Sequence, residues 1–297
     1  MTIGSAMMGE AAAATFLHAH IAEALPSVFD GIRHGPLEVR LARDTAEVTE
    51  AQKLRYRIFY GEMGAQPTPE MQAVGLDFDK YDAACDHLLV LHHGEADPDG
   101  RGTIIGTYRL MRREAAASVG GFYTAGEFDI RKLEAVEGEI LELGRACVDV
   151  GHRSRPTMQL LWRGIASYVL SHRVQVMFGC ASLPGTDIDA LAPLLSYLHY
   201  NHLAPETIRA RALPERHIGM DLVAPQEVNA EAAVAALDAR AAISALPPLI
   251  KGYLRLGGMI GDGAVIDPEF GTTDVCIIVV TDRLAEKYFN HFLRNAG

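Results

Sequence analysis

Residues 139–183 read EILELGRACVDVGHRSRPTMQLLWRGIASYVLSHRVQVMFGCASL, and this stretch decides the fold. EILELGRACVDV is a strand pattern. HRSRP then leads into TMQLLWRGIASYVLSH, a helix with Ser154 as N-cap and Pro156 in its first turn. VQVMFGCASL follows as a buried strand, which completes a strand–helix–strand unit. Upstream, DTAEVTEAQKLRYRIFYGEM reads as a helix capped by Asp44, with Glu47 three residues on. LEVRLA before it alternates like a strand. HLLVLHH and TIIGTYRLMR form a hairpin across a polar loop at 94–102. Residues 61–85, with Gly61, Gly64, Pro67, Pro69 and Gly75, read as irregular. A stretch that long without regular structure is usually functional or disordered. Downstream come DIDALAPLLSYLHYNH as a helix, an Ala-rich helix over 228–246, the Pro247-Pro248 break, LIKGYLRLGGMI, the strand DVCIIVV and a closing helix RLAEKYFNHFLRN. The order predicts an α/β fold, a mixed sheet with helices on both faces. It divides as a leader helix in 1–36, a core over 37–202, and a C-terminal extension over 203–297 that completes the sheet.

Composition narrows the function. The 297 residues are 49% hydrophobic, ample for a packed core, and the net charge of −11 argues against non-specific nucleic-acid binding. No apolar run of roughly 18 residues marks a membrane span. The acidic start, with Glu10 and no basic residues, does not read as a signal peptide. Cys85, Cys147, Cys180 and Cys276 are far apart and show no C-x-x-C spacing, which reads as reduced thiols in a cytoplasmic protein. His199 and His202, or His92 and His93, lack partners at zinc-like spacing, so no metal site is expected.

Charged residues inside apolar runs are costly unless paired or used. Here they are Arg109 in GTYRLM and Glu142 with Arg145 in ILELGRACV. Arg55 and Phe59 share a helix face, and Asp79-x-x-Asp82 lies in the irregular stretch. Glu142 and Arg145, three apart, fall on opposite faces of a regular strand. Gly144 between them permits a bulge that turns both toward one cavity.

The element order resembles the GNAT acyltransferase fold. The set Arg55/Phe59, Asp79/Asp82, Arg109 and Glu142/Arg145 is similar to that of acyl-homoserine lactone synthases. Those synthases carry a Trp shortly after the Phe, where this chain has Ala65, and the single Trp162 lies on a later helix. LGRACV, HRSRPTMQLLW and LPPLIKGYLRLGGMIGDGAVIDPEFGTTDVCIIV resemble instead the ornithine N-α-acyltransferases, over most of the chain after residue 38.

That resemblance implies a 3-hydroxyacyl group moved from acyl carrier protein to the α-amine of L-ornithine, giving lyso-ornithine lipid. No cofactor is bound, and the carrier's phosphopantetheine thioester is a co-substrate. The α-amine must lose a proton before attack, and Glu142 is the first candidate to take it. The alternative is that Glu142 pairs with Arg145 or Arg109 to hold the strands. The resemblance also implies a bulge in this strand whose N–H groups near Ala146 and Cys147 receive the thioester oxygen. Cys147 itself reads as core. Arg109 or Arg55 suits the substrate carboxylate, and Asp79 or Asp82 its ammonium, unless these two form a solvated cluster with Lys80. Arg153, Ser154 and Arg155 form a candidate phosphopantetheine cradle at a helix start.

The carrier is acidic, so docking would use basic residues among Arg112, Arg113, Arg131, Lys132, Arg153, Arg155 and Arg163. An amphiphilic product implies peripheral contact with the inner membrane. The rivals are a signal synthase, an acyltransferase for another amino acid, and a non-catalytic carrier- or lipid-binding module.

Overall fold

The computed structural model describes residues 31–94, 100–223 and 245–281. The leader helix, the Ala-rich helix up to residue 244 and the closing helix lie outside the described residues. Among the described residues ten strands form one sheet, in the order β1-β2-β3-β4-β6-β7-β10-β9-β8-β5. They are β1 (Ile32–His34), β2 (Leu37–Leu41), β3 (Asp86–His92), β4 (Thr103–Arg112), β5 (Phe128–Asp129), β6 (Glu139–Val148), β7 (Val174–Pro184), β8 (Arg211–Ala212), β9 (Met259–Asp267) and β10 (Thr272–Val280). β6 and β7 are parallel, joined by the helix between them, and β8/β9 is the other parallel pair; the remaining neighbours are antiparallel.

The described helices are α1 (Thr45–Tyr56), α2 (Pro69–Val74), α3 (Arg113–Ser118), α4 (Arg131–Glu134), α5 (Arg155–Ser171), α6 (Ile188–His202) and α7 (Pro248–Arg255). Strand alternation sorts the core into two layers. Val39, Leu88, Tyr108, Leu110, Leu141 and Ile277 pack with α5, α6 and α7 on one face. Met111, Ile140, Phe178 and Ile278 fill the other, where Leu54 of α1 and Ile58 and Phe59 just beyond it pack against Cys147.

Asp44 caps α1 through the Glu47 N–H, and the Glu47 carboxylate returns to the Arg43 N–H and to Arg40. The helix expected to run to residue 63 stops being α-helical at Tyr56 and continues as a wide π-turn over Arg57–Glu62. Such turns insert an extra residue per turn and recur at functional sites. The irregular stretch also holds a helix that the sequence pattern hid: Thr68 caps α2, Pro69 begins it, and Gly75 at φ 66° ends it.

Candidate active site

β6 and β7 pair only from Glu139/Val174 to Glu142/Phe178. Beyond that register β6 continues along β4 and β7 continues along β10, so the two strands fork. A glycine is required at the fork, since a Cβ on Gly179 would stand 2.2 Å from the Leu143 carbonyl oxygen. On the other edge of β6, Thr107 faces Cys147 but Arg109 faces Gly144. Two steps on β4 therefore span three on β6, the count of a β-bulge. Arg145 carries it, with a left-handed φ of 49°. The bulge undoes the alternation, and Glu142 and Arg145 line the same cavity, of about 230 Å³, at the fork.

Three arginines and three aspartates lie beside this cavity. Arg55, fully buried, donates from Nε to Asp77 Oδ2 at 2.6 Å, from Nη2 to the Asp77 carbonyl at 2.6 Å, and to both Asp82 oxygens at 2.9 Å. Arg109 donates to Asp79 at 2.6 Å and to Asp82 at 3.4 Å. Arg145 reaches Asp79 at 3.4 Å and lies over the rings of Phe270 and Tyr123, at 4.9 and 5.5 Å. Burial pushes the Asp82 carboxyl up, but the Arg55 bonds and charge outweigh it and hold the group well below its usual range. Tyr60 Oη donates to Asp77 at 2.8 Å. Asp77 is the member that sequence reading missed. It stands two residues before Asp79, and only the folded loop places it on Arg55.

Glu142 pairs with neither arginine. Its carboxylate accepts from the Tyr123 N–H at 2.9 Å and the Thr124 N–H at 2.6 Å. Burial raises its pKa, against the lowering effect of the Thr124 and Tyr123 bonds. Arg109, Arg145 and Phe59 also line the cavity, while Arg55, Asp79 and Asp82 stand behind the lining. Arg153 to Arg155 fall outside the lining too. Arg153 donates to the Val148 carbonyl at 3.0 Å and to Glu62 at 2.6 Å, and Ser154 caps α5.

Several of the expected docking cations are engaged elsewhere. Arg113 donates to the carbonyls of Glu134, Val136 and Gly138, Arg131 pairs with Asp129, and Lys132 pairs with Glu206. The Cys147 thiol, buried beside Phe59, is pushed up to about 12, which suits a core residue.

The cavity also reaches residues that sequence reading did not single out. Asp274, Asp267 and Cys180 line it, and Glu127 lies against Cys180, 3.4 Å from the thiol. Burial and the Asp274 charge push Glu127 up to about 7. Burial, partly offset by the Ser182 and Thr272 hydroxyls, leaves Asp274 at about 6. Asp267 accepts from the Glu269 and Phe270 N–H groups at 2.9 and 3.1 Å. Among the described residues, the cation paired with this group is Arg216, 3.8 Å from Glu127. Unlike the Arg–Asp network, this corner has more carboxyls than cations among the described residues, and burial favours the protonated forms of Glu127 and Asp274. Ligand atoms of Glu127, Cys180 and Asp274 lie within 4.8 Å of one another, a set able to hold a cation that linear spacing could not reveal.

A mixed sheet forked between two parallel strands, with a bulge and charged side chains at the fork, defines a GNAT-type acyltransferase. The acetyltransferase (GNAT) domain family matches residues 54–163. An L-ornithine N(alpha)-acyltransferase of Brucella abortus is 45% identical over 262 residues, covering 88% of this chain and 90% of that protein. One of Agrobacterium fabrum is 45% identical over 262 residues, covering 88% and 86%. The chain belongs to the L-ornithine N(alpha)-acyltransferase family and is an acyltransferase. A solved coenzyme-A-dependent acyl-homoserine lactone synthase, BjaI, overlaps 80% of this chain and 79% of its own at 13% identity and TM-score 0.41, a loose likeness of fold.

Proposed function

We propose that this enzyme transfers a 3-hydroxyacyl group from the phosphopantetheine thioester of acyl carrier protein to the α-amine of L-ornithine, giving lyso-ornithine lipid. The observation that carries this reading is the two-sided cavity. Toward α7 its lining is apolar, with Leu143, Ala146, Ala181, Leu249 and Ile277. Across the sheet it holds Glu142, Arg145, Asp267 and Asp274. An acyl thioester entering at the fork would meet a cationic amino acid there. Family membership supports the choice of L-ornithine, which the relatives' names specify.

Each group of the acceptor has a partner of matching chemistry. Arg145 spends one long hydrogen bond on Asp79, so most of its five N–H donors remain for the substrate carboxylate. Arg55 commits four contacts to Asp77 and Asp82, and it organises the loop that carries them. The δ-ammonium fits Asp274, Asp267 and Glu127, because Asp79 and Asp82 are already balanced by arginines. Glu142, desolvated and raised in pKa, takes the α-ammonium proton, and the amine nitrogen then bonds to the thioester carbon. The C–S bond breaks and the second amine proton leaves with the thiol. The β7-facing backbone of β6 beyond Glu142 has no strand partner, and its N–H groups are available to the carbonyl oxygen as charge develops. The cradle for the pantetheine phosphate is the α5 N-terminus with Arg153, Ser154 and Arg155, which follows β6 after a short turn over Val150–His152.

No helix among the described residues is long and apolar enough to cross a membrane. An amphiphilic product then implies peripheral contact of a cytoplasmic enzyme with the inner membrane. The test is an extraction assay. Purified enzyme receives 3-hydroxyacyl-carrier protein with labelled L-ornithine, and lysine and glycine run in parallel. Organic-soluble label from ornithine is expected. Label only from another amine overturns the acceptor, and a requirement for S-adenosylmethionine would point to a signal synthase.

A further inference from the structure

On the apolar side of the cavity stand two tyrosines with no role in the chemistry above. Tyr108 Oη and Tyr253 Oη lie 2.8 Å apart, and among the described residues each is the other's sole hydrogen-bond partner. Both are buried, at 4% and 2% exposure, and both line the cavity. Two hydroxyls bring two O–H donors, and one bond uses one of them. The second O–H is therefore a desolvated donor with no acceptor, an arrangement that folded proteins rarely keep without a purpose. Burial moves both phenols upward in pKa, so neither sheds its proton instead.

The position narrows the ligand. Tyr108 is the β4 residue skipped by the register shift, opposite Arg145 and Ala146 of the bulge. Tyr253 is brought in by α7, and its ring stands edge-to-face with Trp162, the ring centroids 4.9 Å apart. The rest of this side is Leu143, Ala146, Ala181, Pro247, Leu249 and Ile277, which suits a hydrocarbon chain. A polar pair in that setting fits a chain bearing one hydroxyl close to its carbonyl, since a hydroxyl can accept the spare proton and donate back.

We propose that Tyr108 and Tyr253 form the subsite that reads the 3-hydroxyl of the acyl donor. This rests on the donor half of the reading above and not on the acceptor. An unsubstituted acyl chain leaves the spare O–H stranded against methylene groups and is disfavoured for that reason.

The test needs no turnover. Amide analogues of 3-hydroxyacyl-pantetheine and of unsubstituted acyl-pantetheine, equal in chain length, are titrated into the full-length enzyme. The wild type should bind the hydroxylated analogue about tenfold more tightly or better. In the Tyr108→Phe/Tyr253→Phe double variant the ratio should collapse toward one from both directions. The hydroxylated analogue weakens, and the unsubstituted one tightens because no donor is left stranded. A wild-type ratio near one overturns the proposal without any variant. Equal weakening of both analogues in the double variant also overturns it, assigning the pair to packing or to the pantetheine amides. Acceptor identity does not enter this titration. Failure of the ornithine assay with the ratio intact would remove only the acceptor, and a ratio near one with ornithine acylated would remove only the subsite.

Discussion

Glu127→Gln separates what the fold tolerates from what the site uses. Burial beside Asp274 takes the Glu127 pKa from 4.5 to about 7. For an acid raised in the folded state, the folded protein holds the proton more tightly than the unfolded chain does. Stability therefore falls as pH rises from 4.5 through 7, and the loss is complete above 7. At about 1.36 kcal/mol per pH unit, the ionised carboxylate costs the folded state about 3 kcal/mol at pH 8. Glutamine keeps an acceptor for the Cys180 thiol and removes that charge. Its gain is reduced by the loss of the long Arg216 contact, worth about 0–1 kcal/mol. Thermal melts at pH 8 should therefore show Glu127→Gln higher in Tm by about 5 °C, and melts at pH 5 should show little difference. With the charge gone, the acceptor KM should rise roughly tenfold at pH 8. A Tm difference independent of pH, or a less stable variant at pH 8, would refute the reasoning.

Three further outcomes follow from the same geometry. Arg55→Met leaves Asp77 and Asp82 buried without their cation and should destabilise by about 3–5 kcal/mol in urea unfolding, while Arg55→Lys, which keeps the charge but not the fork, should lose less. Glu142→Gln sets an amide NH2 against the Tyr123 or Thr124 N–H, so hydrogen exchange should quicken over residues 121–126, and kcat should fall by about 10² or more with the acceptor KM little changed; faster exchange at unchanged kcat would reduce Glu142 to a loop tether. Gly179→Ala drives a Cβ to 2.2 Å from the Leu143 oxygen and should lower Tm and weaken the donor analogues together, while a variant with native Tm would contradict the tight fork.

Much of the architecture was legible in local patterns. Ser154 and Asp44 cap helices where their side chains can reach the N–H three residues on. The two apolar runs from residue 86 on form the β3–β4 hairpin because each is a continuous apolar run, buried on both faces, and a polar stretch separates them in sequence. The π-turn at Arg57–Glu62 was not legible, because helical periodicity does not register an inserted residue that tertiary packing holds in place. Nor was α2, whose six residues are none of them buried and so show no apolar stripe.

The sequence by itself determined the family, the strand–helix–strand unit β6–α5–β7, and the rule that Arg109, Glu142 and Arg145 must be paired or used, since burial cost depends on residue type and apolar context. It also pointed to a bulge between Glu142 and Arg145 by way of Gly144, whereas the bulge falls on Arg145 itself, one residue on. Only the tertiary structure decided the partners. Asp77 comes to Arg55 across 22 residues that include the π-turn and α2, Glu142 turns to backbone N–H groups rather than to an arginine, and Glu127, Cys180 and Asp274 gather from three separate strands and loops. Tyr108 and Tyr253 meet across 145 residues. Such pairs are set by sheet order and by the fork between β6 and β7, and the energy of a long-range contact leaves no trace in the spacing of either partner.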